Sequence, residues 1–497
     1  MTKDSKKLPS WLLLAAIIGS LIGAGLAAYF SWLAIPITIG LIIFLSLVIL
    51  IFDKPWLGVV LVAFFLPFER IGGFDVVGQT TLKTSQVFVV VTIASWLLYY
   101  LIIRRQSNPR TAIMWPLLAY LGIAAISIVN AQNLERAMAV YVFSAFVIIF
   151  ALVIPQVIRN TAHIKKVVIV LLFSALIVSL FGLYQFVGDV IGLPPELTGL
   201  REHYTQSVFG FPRIHSTALE PLYFANYLLI PIAITFLLWL RQPKTQPESG
   251  RWQKFFSRRI VLLGIFLFCI LSLSLTLSRG GYLGLLATMV ILLILGWRQI
   301  FTMRNFYILL LVGIIMVLIA VAFINFSGRF SLDTFLTQAT EYQTGASIEE
   351  RYSTYNQAQQ LFATHPIFGV GIGNFGPEVA TYYQRMPEGG WLIVNNEPLE
   401  ILAETGILGL AAILGMVIIL LWQTIRALWI SQKISNESQR IFLRAILGGF
   451  LAAFVGILVQ YQTFSTLYIL HVWFVIGMMA TTVIVINKLV EPALEKD

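Results

Sequence analysis

Apolar runs long enough to cross a membrane recur along the whole sequence, and they constrain the fold more than any other feature. A transmembrane helix needs about 20 apolar residues. The first two such runs, 11–30 and 33–52, follow each other directly, which is too long for a cleaved signal peptide. Only 11% of the residues are charged, against about 25% in soluble proteins. The pattern predicts an all-α fold, a polytopic transmembrane helical bundle of roughly 12–14 spans.

The placement of Lys and Arg predicts how the bundle is oriented. With the N-terminus in the cytoplasm, most of the 33 basic residues fall in inner loops, as the positive-inside rule requires. Both termini are then cytoplasmic. The net charge of +10 reflects this asymmetry of the loops, so no nucleic-acid partner is expected.

A small set of basic residues is predicted outside, against this rule. These residues are Arg70, Lys83, Arg136, Arg201, Arg213, Arg279, Arg329, Arg351 and Arg385. Almost all are arginine, whose planar guanidinium binds phosphate through two parallel hydrogen bonds. The set therefore indicates either a phosphate-bearing ligand at the outer face or pairing with the acidic residues predicted there.

Two of these arginines lie in short motifs next to predicted spans. Arg279 follows Ser278 and precedes two glycines between two apolar runs, so it lies at the outer membrane boundary, where an ionisable residue is a functional candidate. Arg213 and His215 precede the Glu220-Pro221 helix start. The alternatives are a helix-end arginine that reaches the interface and a Glu220–Arg213 ion pair.

The largest predicted outer loop spans 327–400 and contains aromatic residues and glycines, so it is expected to be ordered. A helical stretch over 347–363 contains Arg351. The glycines at 371, 373 and 376 fit the dinucleotide-binding pattern, but no strand–turn–helix unit surrounds them. They predict a tight loop close to the bilayer instead.

Three carboxylates, Glu397, Glu400 and Glu404, lead into the next apolar run. Glu400 and Glu404 are four residues apart and therefore share a helix face. A partly desolvated member of the group could act as a general base. Alternatively, the three carboxylates balance the charge of nearby arginines.

Three segments together resemble the O-antigen ligase family. They are Ser278-Arg279-Gly280-Gly281, the stretch from His365-Pro366 to Asn374-Phe375, and the stretch from Asn396-Glu397 to Leu408-Gly409. Their order and spacing match the family, with the last two in one large outer loop. The resemblance covers about 200–424, and the earlier spans are similar only in being hydrophobic.

The resemblance implies a glycosyltransferase in the bacterial inner membrane with its active site facing the periplasm. The donor would be an undecaprenyl-diphosphate-linked glycan, and the acceptor a hydroxyl on lipid A–core, another glycan or a protein. Residues that match the family's arginines, Arg213 and Arg279, would bind the diphosphate, and we assign Ser278 and Arg351 to the same donor site. No cofactor and no metal are expected. The alternatives are a polymerase of the same superfamily, a polyprenyl-linked-glycan transporter and a non-catalytic scaffold.

One departure from the family concerns the catalytic base. The family often has histidine where this chain has Asn395, and an amide cannot accept a proton at neutral pH. Asn395 can still orient a hydroxyl. Glu397, Glu404 or His215 could be the base. A good leaving group could also make a base unnecessary, or the protein could bind glycolipid without reacting.

These assignments divide the chain into four parts. We predict N-terminal transmembrane helices over 1–187 and transmembrane helices with the donor-binding loops over 188–326. The large periplasmic loop spans 327–400, and C-terminal transmembrane helices span 401–497.

Overall fold

The structure is a computed structural model. It describes residues 34–70, 74–76, 80–98, 111–205, 208, 210–241, 255, 258–327, 346–382 and 391–494, with single helical positions between 17 and 25. Most of the first predicted span, together with Arg329 and Arg385 of the outer basic set, lies outside the described residues.

The described chain is built almost entirely from helices. The N-terminal part contains α1 (Ala34–Asp53), α2 (Trp56–Phe65), α3 (Thr84–Trp96), α4 (Met114–Ser127), α5 (Leu134–Val157), α6 (Thr161–Val190) and α7 (Pro195–Thr198). The middle part contains α8 (Pro221–Leu240), α9 (Arg259–Leu275), α10 (Arg279–Ile300), α11 (Met303–Ser327), α12 (Ala346–Thr364) and α13 (Phe375–Tyr382). The C-terminal part contains α14 (Glu397–Ile430), α15 (Glu437–Gln460) and α16 (Leu470–Leu494).

Seven of the described helices are long and apolar enough to cross a membrane: α5, α6, α8, α10, α14, α15 and α16. Shorter apolar helices include α2, α3 and α4, which precede α5, and α9, which lies between α8 and α10. Strands β1 (Phe74–Val76) and β2 (Thr80–Leu82) form one antiparallel hairpin. The all-α, polytopic membrane fold predicted from the sequence is thereby confirmed.

The core forms around α8 and α16, which have the largest buried share of residues among the seven membrane-length helices described. Helix α8 packs against α9, α10 and α15, while α16 packs against α5, α14 and α15. Small residues permit the closest approach, as expected for packing in lipid. A Cβ at Gly284 of α10 would lie 3.0 Å from the Gly456 carbonyl oxygen of α15.

Long-range hydrogen bonds gather the predicted outer loops at one end of the bundle, which we call the loop end. It comprises the described residues 66–70, 74–76, 80–83, 127–136, 191–205, 208, 210–220, 276–281, 365–376, 391–400 and 461–469. Asn130 donates to the Gly369 carbonyl, Ile214 to Leu275, and Glu397 to Tyr461. The predicted inner connections meet elsewhere, where Arg241 donates to carbonyls of Leu295 and Arg444. We call this second region the opposite end.

Candidate functional site

Two arginines act directly on a buried histidine at the loop end, and a third, Arg213, packs on the Tyr204 ring, which lies 5.7 Å from the histidine ring. We call Arg70, Arg201, Arg213 and His215 the arginine cluster. The Arg70 guanidinium donates to the Gly199 carbonyl at 3.0 Å and lies 3.2 Å from His215 Nε2. Arg201 acts electrostatically on both Arg70 and His215. The cluster thus joins a residue of the first outer loop to three from the loop before α8.

His215 is neutral in this environment. Burial, followed by the charges of Arg70 and Arg201, lowers the pKa of His215 to about 4. An arginine can only donate hydrogen bonds, so Nε2 must be the acceptor from Arg70. The lone pair that a general base would use is therefore engaged, which argues against His215 as the base.

A pH-dependent stability follows from His215. The unfolded histidine, with a pKa of about 6.5, binds a proton in the window where the folded one does not. Stability is therefore full above about pH 6.5 and falls as the pH drops toward 4. At pH 5 we expect the parent to have lost about 2 kcal/mol of its free energy of unfolding through His215, and we expect His215→Gln not to show this loss. Thermal unfolding in detergent between pH 7 and 5 measures it.

His203→Gln is the matched control for this measurement, because His203 is exposed in the same connection. It should leave the pH dependence of the parent unchanged. A parent curve that H215Q leaves unaltered would contradict the neutral, buried state of His215.

Arg213 is held against the turn that leads into α10. Its Nε donates to the Thr276 carbonyl at 3.3 Å, and its guanidinium lies 5.8 Å from the centre of the Tyr204 ring. Arg279 begins α10 three residues after Thr276 and is exposed. The two arginines that the sequence assigned to the diphosphate therefore meet at one turn.

Ser278 has a clear structural role at this turn. It is the N-cap of α10, and its buried hydroxyl accepts from the Gly281 N–H at 3.3 Å. The glycines beside Arg279 fit a close approach of other elements. A Cβ at Gly280 would lie 2.2 Å from Thr463 Oγ1, and one at Gly281 2.6 Å from the Ala225 Cβ.

Glu220 is the acidic neighbour of the arginine cluster. Burial raises the pKa of Glu220, although Arg201 and Arg213 act to lower it. A second acid, Glu69, is 3.7 Å from Lys83, and a third, Glu202, is exposed. Because Glu69 has its own cation and Glu220 ionises less readily than usual, the cluster retains excess positive charge.

The glycine-rich loop is fastened to the start of α14 by Glu404. One Glu404 oxygen accepts from the Gly373 N–H at 2.7 Å and the other from the Phe375 N–H at 3.1 Å. The Val370 and Gly371 N–H groups donate to the Ala403 and Glu404 carbonyls. Both carboxylate oxygens are thus used to position the loop, which argues against Glu404 as a base.

Helix α14 is kinked at Gly406, whose φ of 68° and ψ of −171° are not helical, and Gly369 lies where the glycine-rich loop touches this kink. The φ of Gly369 is +68°, and an added Cβ would lie 2.3 Å from the Glu404 carbonyl carbon. Since backbone cannot yield there, we expect Gly369→Ala to destabilise the protein by about 3 kcal/mol. The thermal midpoint in detergent tests this prediction.

Gly415→Ala is the matched control, because Gly415 lies inside α14 and an added Cβ would meet nothing within 4 Å. It should leave the midpoint unchanged or slightly raised. Equal midpoints for the two variants would refute the close packing at Gly369.

Glu400 holds the strand-like segment before α14. It accepts from the Val394 N–H at 2.8 Å and from the Ser465 hydroxyl, and that hydroxyl in turn accepts from the Asn395 N–H at 3.1 Å. The Tyr355 hydroxyl of α12 donates to the Asn395 carbonyl at 3.4 Å. The Asn395 backbone is therefore fixed from two sides.

The Asn395 side chain is presented by a strained backbone. Its φ is +59°, and its amide makes no hydrogen bond to another described residue. Within the described chain, the other non-glycine residues with positive φ are Ser216 and Leu277. Each adjoins a predicted site residue, His215 or Ser278. Such backbone strain concentrates at functional sites.

Glu397 differs from the other two carboxylates of its group. It is 5% exposed, and its Oε2 is buried with no hydrogen-bond partner among the described residues. The Glu397 carboxylate accepts a hydrogen bond from the Thr466 backbone. Both hydrogen bonds of Glu400 go to its Oε2, and those of Glu404 occupy both of its oxygens. Among these three described glutamates, Glu397 alone has a carboxylate oxygen that is buried without a described partner.

Residues 461–469, the connection between α15 and α16, contact both the turn at Arg279 and the Asn395 segment, and sequence reasoning missed them. Thr463 packs against Gly280, Ser465 binds Glu400 and Asn395, and Thr466 lies 3.4 Å from the Tyr223 hydroxyl. Gln462 accepts from Tyr355. The connection places the arginine turn and the Asn395 segment side by side.

Two further arginines lie near the glycine-rich loop and α12. Arg136 donates to the Gly373 carbonyl at 2.5 Å and lies 5.6 Å from the centre of the Trp391 ring. Arg351 is half-buried near the start of α12, one turn before Tyr355. No described contact joins Arg351 to the arginine cluster. Among the described residues, no group of His, Cys, Asp or Glu is arranged to hold a metal.

The fold and this site define a multi-pass helical membrane protein with one elaborated polar face. Residues 264–414 match a family model described as O-Antigen ligase. Over this part of the chain, the protein is therefore similar to that family. The match includes Arg279, the glycine-rich loop and the three glutamates but not Arg213. A comparison with curated proteins gave no match.

Proposed function

We propose that the protein transfers a glycan from undecaprenyl diphosphate to an acceptor hydroxyl at the periplasmic face of the inner membrane, as an O-antigen ligase does. The observation that carries the proposal is the meeting of Arg213 with the Thr276–Arg279 turn. Two guanidinium groups at the membrane boundary suit a diphosphate whose lipid tail stays in the bilayer.

In the proposed reaction, the acceptor oxygen attacks the anomeric carbon of the donor sugar. The bond from that carbon to the diphosphate oxygen breaks, and undecaprenyl diphosphate leaves with the bonding electrons. Arg213 and Arg279 stabilise the charge that grows on the diphosphate. Glu397 takes the acceptor proton, and the Asn395 amide orients the acceptor hydroxyl.

The supporting residues keep these groups in place. Glu404 positions the glycine-rich loop, and Glu400 with Ser465 fixes the backbone of Asn395. Ser278 caps α10 and thereby directs Arg279. We propose that His215 remains neutral and supports Arg70 within the donor site, and that Arg351 of α12 belongs to the same site. Lipid A–core or another glycan supplies the acceptor hydroxyl.

The glycan profile of a deletion strain tests this function, with lipid-linked intermediates extracted beside the finished surface glycan. A ligase predicts long polymer stranded on the isoprenoid carrier and none on the final acceptor. Single repeat units on the acceptor would instead identify a polymerase. Unchanged pools, in a strain without a redundant gene, would refute both activities.

A further inference from the structure

A second cationic site lies at the opposite end of the bundle, away from the glycan-transfer residues. There a cavity of about 590 Å³ is lined by Leu240, Arg241, Gln299, Gln432, Arg440, Ile441 and Arg444. The ends of α8, α10 and α14 and the beginning of α15 meet around it. Among the described residues, its lining contains three arginines, two glutamines and no acidic residue.

Arg241 is explained by contacts within the protein. Its guanidinium donates to the Leu295 carbonyl at 2.5 Å and to the Arg444 carbonyl at 3.5 Å. The Leu295 carbonyl lies near the C-terminal end of α10, where a cation is favourable. Burial, followed by the charge of Arg444, lowers the pKa of Arg241 to about 10. Because a pKa of about 10 is still far above neutral pH, Arg241 keeps its charge, and the cavity wall is positive.

Arg440 and Arg444 are not explained in this way. Arg440 has one long hydrogen bond, 3.4 Å to the Ile434 carbonyl, and the Arg444 side chain has none among the described residues. The ion pairs of the described chain are Lys54–Asp53 and Lys83–Glu69, so neither arginine has a carboxylate partner there. Two half-buried guanidinium groups side by side repel each other unless an anion lies between them.

From this geometry we infer that the cavity binds a phosphate-bearing anion, with Arg440 and Arg444 as its main ligands and Gln299 and Gln432 as further donors. Guanidinium groups bind phosphate in a bidentate way. Leu240 and Ile441 give the cavity an apolar margin, and its volume accommodates a glycerophosphate headgroup. The anion is either an anionic lipid headgroup at the membrane surface or free phosphate, which share this chemistry.

Binding of soluble probes to the purified, delipidated full chain in neutral detergent tests the site. The probes are dihexanoyl-phosphatidylglycerol, dihexanoyl-phosphatidylcholine and inorganic phosphate at constant ionic strength, with the thermal shift as readout. We expect phosphatidylglycerol to bind the parent and Arg440→Gln/Arg444→Gln to weaken it about 25-fold, or about fivefold for each arginine. If the double variant is not monodisperse, the binding measurement is made on the two single variants instead.

Arg426→Gln is the matched control, because Arg426 lies over the Trp422 ring on α14 and does not line the cavity. It should bind like the parent. If inorganic phosphate binds as well as phosphatidylglycerol, the site is supported and the bound anion is identified as free phosphate. Three results would overturn the inference: binding that R440Q/R444Q leaves unchanged, an equal loss of binding in R426Q, or no binding of either phosphatidylglycerol or inorganic phosphate.

Discussion

Replacing Arg213 or Arg279 by alanine is expected to lower the rate of glycan transfer by about 10²–10³-fold, because each supplies a preorganised cation to the leaving diphosphate. The two guanidinium groups act on one charge, so the double variant should lose less than the product of the single effects. The initial rate with undecaprenyl-diphosphate-linked glycan in nanodiscs measures this. The loss should fall mainly in kcat, because the charge grows in the transition state.

Lysine variants separate charge from geometry at the same positions. Arg213→Lys and Arg279→Lys keep the positive charge but lose the planar fork, so we expect intermediate rates. Arg426→Ala, at an exposed arginine outside the site, should react like the parent. Thermal unfolding checks that R213A, which loses the hydrogen bond to the Thr276 carbonyl, remains folded. Transfer by the folded double variant within about threefold of R426A would remove both arginines from the donor site.

The general architecture could be predicted from the sequence because its signals are local. A helix in lipid must satisfy its own backbone, so an apolar run of about 20 residues has few alternatives. The basic residues then sorted the loops into two sets, and hydrogen bonds such as Arg136 to Gly373 now join members of the predicted outer set. The helix predicted over 347–363 is α12, Ala346–Thr364.

The division of labour among the acidic residues could not be read from spacing. The four-residue interval put Glu400 and Glu404 on one helix face, but it did not reveal which oxygens would be occupied. Glu404 binds N–H groups about thirty residues earlier in the chain, and Glu400 binds Ser465 on a different connection. Only the tertiary structure distinguishes these two from Glu397.

The contribution of residues 461–469 was invisible for a related reason. Serine, threonine and glutamine are ordinary loop residues, and nothing in their local pattern indicates contact with Asn395 or Gly280. Strained backbone was similarly hidden at Ser216 and Leu277, since neither residue type favours positive φ. Asparagine does tolerate it, so Asn395 carried a weak signal that sequence reasoning did not use.

Glu397→Gln is the second prediction with a large expected effect. The substitution keeps the shape and removes the proton acceptor, so we expect transfer to fall by about 10²–10⁴-fold, the range for loss of general-base catalysis. Donor binding should be retained, because the arginine turn is untouched. The rate of transfer and the binding of undecaprenyl diphosphate are measured on the same preparation, with Glu437→Gln, an exposed acid at the start of α15, as control.

The proposed base also predicts how a histidine at 395 would act. Asn395→His places a titratable group on the backbone that Ser465 and Tyr355 hold in position. In the background of E397Q it should raise the rate of transfer at least about tenfold over E397Q alone. The rate should increase with pH through the ordinary pKa of histidine, about 6.5. A purely structural effect of E397Q would not be rescued in this way. Full activity of E397Q, together with strong loss in Asn395→Ala, would instead assign the acceptor step to hydrogen bonding by Asn395 and to the good leaving group, without a carboxylate base.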